Sequence, residues 1–190
     1  MQSTAPLTPE ECLSQLDIRV GRIVDVWNHP ESDKLLCEKV DVGEDVPRSI
    51  GSGIRAFHSA EEIKGRLVCV MCNLKQKKLG GYPSNGMLLC ASVMDHSRGA
   101  LLDPPEGSIV GERISFPGIV GEPATPAQVH KKRMLESVLP VYTILRMNRS
   151  ISKRIAMVYA VSKIFLSQHL VVHVPVIDSQ ASKYHNGYVC

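Results

Sequence analysis

Leu16-Asp17-Ile18-Arg19-Val20-Gly21-Arg22-Ile23-Val24-Asp25-Val26-Trp27 opens the part of the chain that decides its architecture. Apolar residues at 16, 18 and 20 alternate with polar ones, and a second apolar set (Ile23, Val24, Val26, Trp27) resumes after Gly21. Alternation with period two defines a long, half-buried strand over residues 16–28. A glycine where the apolar phase slips suits a bulge or a sharp bend, as at the corner of a barrel.

Outward from that strand, His29-Pro30-Glu31-Ser32-Asp33 is a turn, residues 35–42 are a second strand, Gly43-Glu44-Asp45 closes a hairpin-like connection, and residues 48–53 are a third. Ser59-Ala60-Glu61-Glu62 is a capping pattern that starts a short helix, and Gly65 stops it. A fourth strand at 66–72 and a fifth at 87–92 are joined by a polar loop over 73–86. Five strands with one short helix between the third and fourth are in the order of an OB-fold, so the predicted fold is an all-β core: a five-stranded barrel over residues 16–116. Asp103-Pro104-Pro105-Glu106-Gly107 is a rigid turn, with one more short strand at 112–116. Residues 1–15 read as an N-terminal linker and 117–140 as a Pro- and Gly-marked linker running into helix-compatible spacing at Met134 and Val138. Residues 141–190 carry β-branched residues without turn signals to organise them.

Composition sets limits. Hydrophobic residues at 44% and charged residues at 22% are those of a globular chain rather than a disordered one. Residues 1–120 hold 13 Lys and Arg against 16 Asp and Glu, while residues 121–190 hold 9 against 3. Net charge therefore gives no support to nucleic-acid binding by the barrel, and such a reading has to rest on a local basic cluster. The first fifteen residues lack the cationic start and apolar run of a signal peptide, and the longest uncharged stretch near the end, 164–177, falls short of a spanning helix. A soluble, cytoplasmic chain is expected.

Catalysis finds little footing. The six cysteines (Cys12, Cys37, Cys69, Cys72, Cys90, Cys190) lack the spacing of a disulfide framework. Cys69 and Cys72 have the separation of a zinc or redox pair, but three residues apart on a strand they point to opposite faces, and there is no second pair. The seven histidines are scattered. The expectation is a non-enzymatic protein with no cofactor and no metal.

The informative segment is Asn73-Leu74-Lys75-Gln76-Lys77-Lys78-Leu79-Gly80-Gly81-Tyr82-Pro83-Ser84-Asn85-Gly86-Met87. Its three lysines supply phosphate attraction and counterion release, its glycines allow close backbone approach, and Asn73, Ser84 and Asn85 offer polar groups to sugars and bases. A lysine-rich loop is also a common solvated surface, so composition alone leaves both readings open.

Together with Leu16 to Ile23, His29-Pro30, Asp33-Lys34-Leu35, Glu38 to Gly43, Pro47-Arg48, Ser52-Gly53, Cys72 to Lys75, Ser84, Gly86-Met87 and Leu102 to Pro105, this segment resembles the EMAP-II-type tRNA-binding domain over about residues 16–116. That domain occurs alone in bacteria, at the C-termini of tyrosyl- and methionyl-tRNA synthetases, and in the multisynthetase-complex scaffold protein. The resemblance implies an OB-fold that holds tRNA by shape and backbone for an aminoacyl-tRNA synthetase, without chemistry. A cytokine-like or scaffold protein-interaction role is the alternative. The family's loop pattern falls on Asn73, Lys75, Lys78, Gly81, Ser84, Gly86 and Met87, and Lys34, Arg48 and Ser52 match its secondary positions. Three residues depart from it: Gly80 where arginine is frequent, Gln76 where proline is frequent, and Pro83 where a backbone donor is usual. Residues 121–140 still resemble the start of the extension that packs on the barrel in eukaryotic members, and the resemblance stops at Val141. Residues 141–190 are therefore read as an alternative end of the chain.

Overall fold

A computed structural model describes residues 6–92, 99–116 and 118–138. The spine of the molecule is β1 (Ile18–Asn28), which pairs antiparallel with β2 (Leu36–Asp41) and, along its first half, with β4 (Leu67–Met71). Adding β3 (Arg48–Ser52) beside β2 and β7 (Met87–Leu88) beside β4 gives a sheet in the order β3-β2-β1-β4-β7. The sheet curls until its edges meet: Asn85, just before β7, donates its N–H to the carbonyl of Ser49 on β3 at 2.8 Å. The result is the expected five-stranded, nearly closed antiparallel barrel. Between β3 and β4 lies α2 (Ala60–Ile63), where the Ser59 hydroxyl accepts from the Glu62 amide at 3.2 Å, as its capping pattern predicts.

The bulge in β1 falls at Val24, between Ile23 and Asp25, rather than at Gly21. Gly21 serves close approach. A Cβ there would lie 2.7 Å from a methyl of Val70 and 2.8 Å from one of Val40, so the missing side chain is what lets β2 and β4 close over β1. The expected strand at 112–116 is a run of bonds along β1 rather than a full ladder: Gly111 N–H to Val20 O, Val20 N–H to Glu112 O, and Ile114 N–H to Ile18 O. The expected fifth strand is split into β7 and β8 (Cys90–Ser92), the latter pairing with β9 (Gly99–Leu101).

Two cores share β4. Val68, Val70 and Cys72 face the barrel interior with Ile23, Leu36 and Ile50, while Cys69 and Met71 face a second core. The predicted divergence of Cys69 and Cys72 is therefore observed. The second core is closed by α1 (Pro9–Ser14), α3 (Pro126–Lys131) and α4 (Met134–Val138), which contribute Leu13, Val129 and Met134. Within the segments read as linker and start of the extension, residues 9–14, 126–131 and 134–138 are helical. Thr8-Pro9-Glu10-Glu11 forms a complete capping box with proline in the first turn, and Thr125 with Gln128 repeats it. These helices were missed because six residues are too few to display a helical period. Arg113 ties the two segments that flank the barrel together, donating to the carbonyls of Gly121 and Ser14, each at 2.9 Å. The expectation for 141–190 lies outside the described residues.

Candidate nucleic-acid interface

Within the segment expected as a loop, the chain forms a β-hairpin of β5 (Lys77–Leu79) and β6 (Tyr82–Ser84). Its tip, Gly80-Gly81, has φ of 56° and 87°, the two left-handed residues that a tight hairpin turn with the twist of its strands requires. Strands of three residues, one holding Pro83, carry too little pattern to be seen in the sequence; proline is tolerated because the pair has no further strand beside it. The hairpin is seated on β3, where a Cβ at Gly51 would lie 3.4 Å from Leu79 and 3.6 Å from Tyr82. Tyr82 stands edge-on to Trp27 with ring centroids 5.7 Å apart and donates its hydroxyl to the Glu38 carbonyl at 3.3 Å. At Gly80 a Cβ would lie 2.9 Å from the His29 ring, so an arginine here would displace that contact.

The root of the segment is built from polar side chains turned inward. Asn73 is buried: its Oδ1 accepts from the Asp17 amide at 2.9 Å and its Nδ2 donates to the carbonyls of Gln15 and Ala124, both at 2.9 Å. Ser84 is buried too, accepting from the Gly51 amide at 3.1 Å and donating to the Gly86 carbonyl at 3.1 Å. Arg48 clasps both ends of the segment through the carbonyls of Cys72 (2.5 Å) and Asn85 (3.0 Å), and forks onto Glu44 with Nε and Nη2 at 2.8 and 2.6 Å. That fork holds the Glu44 carboxyl below its ordinary range. Ser52 donates to the fully buried Glu38. Gly86 runs its backbone against β4, and Met87 begins β7 half-buried against the second core.

The cations are arranged the other way. Lys75, Lys77 and Lys78 are exposed and, among the described residues, have no ion-pair or side-chain hydrogen-bond partner. Lys39 and Lys64, by contrast, are engaged with Ser49 and Asp25. Alternation along β5 puts Lys77 on the face of Leu79, toward the barrel, and Lys78 on the other. Lys77, outside the family's loop pattern, thus shares the barrel side of the hairpin with Lys75, and Lys78 faces the other way. The period-two reading that finds it depends on recognising the strand. Gly81 is exposed at the tip, and Lys34 is exposed in the turn whose next residue, Leu35, lies under that tip.

Cys69 and Cys72 are both buried thiols. Burial pushes Cys69 up to about 12 and Cys72 up to about 11, so neither thiol ionises near neutrality.

An OB-type barrel that seats a hairpin with unspent lysines has the make-up of a nucleic-acid-binding module. The sequence model of the family described as "Putative tRNA binding domain" matches residues 18–113, and the chain belongs to that family. A "Probable methionine--tRNA ligase" of Oryza sativa is 44% identical over 120 residues, which are 63% of this chain and 15% of that protein. The "Aminoacyl tRNA synthase complex-interacting multifunctional protein 1" of Cricetulus griseus is 39% identical over 142 residues, 74% of this chain and 39% of that protein. Among solved structures, the C-terminal domain of Plasmodium vivax p43 superposes with a TM-score of 0.55 at 39% identity, covering 59% of this chain and 68% of that one. The chain thus spans well under half the length of these two curated relatives.

Proposed function

We propose that this chain binds tRNA through the 73–87 hairpin segment, as a non-catalytic module that holds tRNA for an aminoacyl-tRNA synthetase or a multisynthetase complex in the cytoplasm. The observation that carries the reading is the set of three lysines left without partners on a hairpin whose polar neighbours are satisfied internally. Cations already paired gain little from phosphate, whereas unpaired ones release condensed counterions when RNA arrives. Lys75 and Lys78 are the primary contacts, with Lys77 and Lys34 contributing and Gly81 giving the backbone room to approach. Asn73, Ser84, Arg48, Ser52, Gly86 and Met87 serve the site by holding the hairpin in place. No helix among the described residues is long and apolar enough to cross a membrane, which accords with a partner met in solution.

The test is a gel-shift titration with total tRNA at two salt concentrations, comparing wild type with Lys75→Ala/Lys78→Ala. Wild-type affinity should fall steeply with salt, and the double variant should lose about one to two ions from the slope of log K against log salt while melting at the same temperature. Equal salt slopes for the two proteins would overturn the reading. The second reading, a protein-interaction role, draws on the relative whose name says it interacts with a synthetase complex. Partner capture that survives loss of all three lysines would favour it.

A further inference from the structure

Between the hairpin and the C-terminal helices lies a groove of about 270 Å³ that the tRNA-binding reading leaves unused. Its apolar lining comes from Leu74, Leu79 and Met87 of the 73–87 segment and from Val129 of α3 and Leu135 of α4. Gly51 and Ser52 at the end of β3 and Gly53 just after it also line the groove, the two glycines adding no side chain to it. Gly53 has no hydrogen-bond partner for its peptide groups among the described residues. Lys75 and Lys77 line the same groove, with His130 and Glu136 on the helical side.

We infer that this groove takes a single unstacked nucleobase of the bound RNA. Pockets for drug-sized ligands run from about 300 Å³ upward, so this one suits a smaller flat group. An apolar lining contributed by both the 73–87 segment and the helices suits the faces of a base, and the unpaired peptide groups of Gly53, with Glu136 in the same lining, suit the mixed donors and acceptors on its edge. The two lysines place the nucleotide's phosphate at the mouth, which is the charge complementarity that selects a nucleotide over a purely apolar occupant. The inference rests on the tRNA-binding reading for its RNA but not for its chemistry. It also gives α3 and α4 a part in recognition, because they supply part of the groove's apolar lining.

The test uses the full chain with ¹³C-methyl methionine, titrated with adenosine and cytidine 5′-monophosphates and with ribose 5-phosphate, alongside the gel shift with total tRNA. The Met87 methyl signal should move saturably with the nucleotides and not with ribose 5-phosphate. Gly53→Leu should abolish that movement: a Cβ at Gly53 meets nothing within 4 Å, so the fold should accept it while the groove fills. The same variant should weaken tRNA binding about five- to tenfold with an unchanged salt slope, the mark of a lost base contact rather than a lost phosphate contact. A Met87 signal unmoved by nucleotides, equal movement with ribose 5-phosphate, or wild-type tRNA affinity in Gly53→Leu would overturn the inference. Nucleotide-dependent movement in a protein that fails to shift tRNA would sink the tRNA reading and leave the groove as a nucleotide site.

Discussion

At the root of the 73–87 segment Asn73, Ser84 and Arg48 turn their polar groups into the protein, whereas a few residues further on the lysines have no polar partner among the described residues. Asn73 spends its amide on three backbone groups; Lys75, two positions away, spends its charge on none. Both belong to residue types that bind RNA, and both were candidates from the sequence. The difference teaches that a binding surface divides its polar residues between construction and contact. A buried amide is there because the backbone groups around it need partners. An exposed ammonium is held in place only by what carries it, so the hairpin beneath must be rigid for the cations to be positioned. The root is that rigidity.

The sharpest way to break this division is Asn73→Ala. Loss of three hydrogen bonds and a buried, unpaired Asp17 amide should cost about 3 kcal/mol, read as a lower midpoint in urea unfolding. If the variant instead unfolds like wild type and loses tRNA, Asn73 touches RNA and the division is wrong.

Beneath the root sits Glu38, fully buried, with one carboxyl oxygen that has no hydrogen-bond partner among the described residues and a pKa raised to about 8 by burial. Below the ordinary glutamate value of 4.5 it is protonated in folded and unfolded chains alike. Between there and about 8 the unfolded chain ionises while the folded one keeps its proton, so stability falls as pH rises, by at most about 1.4 kcal/mol per unit, and levels off above. Glu38→Gln should flatten that profile and melt higher than wild type at pH 8. Parallel melting profiles from pH 5 to 8 would show that the carboxyl is ionised in the fold.

Effects on the contact side are smaller and of another kind. Lys77→Ala should leave the melting temperature unchanged and remove about one counterion from the tRNA salt slope. Should that slope hold, Lys77 belongs to the groove alone. Lys34→Ala, in an exposed turn at the edge of the surface, is expected to weaken tRNA binding less than about twofold, the scale of a single screened charge. A larger loss in the same titration would extend the surface across β1 and β2.

Much of the fold was legible. Long alternating segments such as residues 16–28 declare a strand because period two is a direct consequence of backbone geometry. The order of five strands and one capped helix then allowed few topologies. What escaped were short elements: α1, α3, β5 and β6 span three to six residues each, and their stability comes from the surfaces they rest on rather than from their own pattern. The capping boxes at Thr8 and Thr125 were written plainly, but only packing against Leu16, Met71 and Phe116 turns a capped turn into a helix that closes a core.

The sequence by itself determined the barrel, the opposite facing of Cys69 and Cys72, and the position of a basic cluster in an otherwise acidic domain. Those depend on residues near one another along the chain, or on periodicities any strand must obey. Only the tertiary structure decided which polar residues are spent: Arg48 reaches the carbonyls of Cys72 and Asn85, 24 and 37 positions away, and Asn73 reaches Gln15, 58 positions away. A side chain's availability depends on every group that comes within hydrogen-bond reach of it, and for a folded chain those groups are mostly distant in sequence.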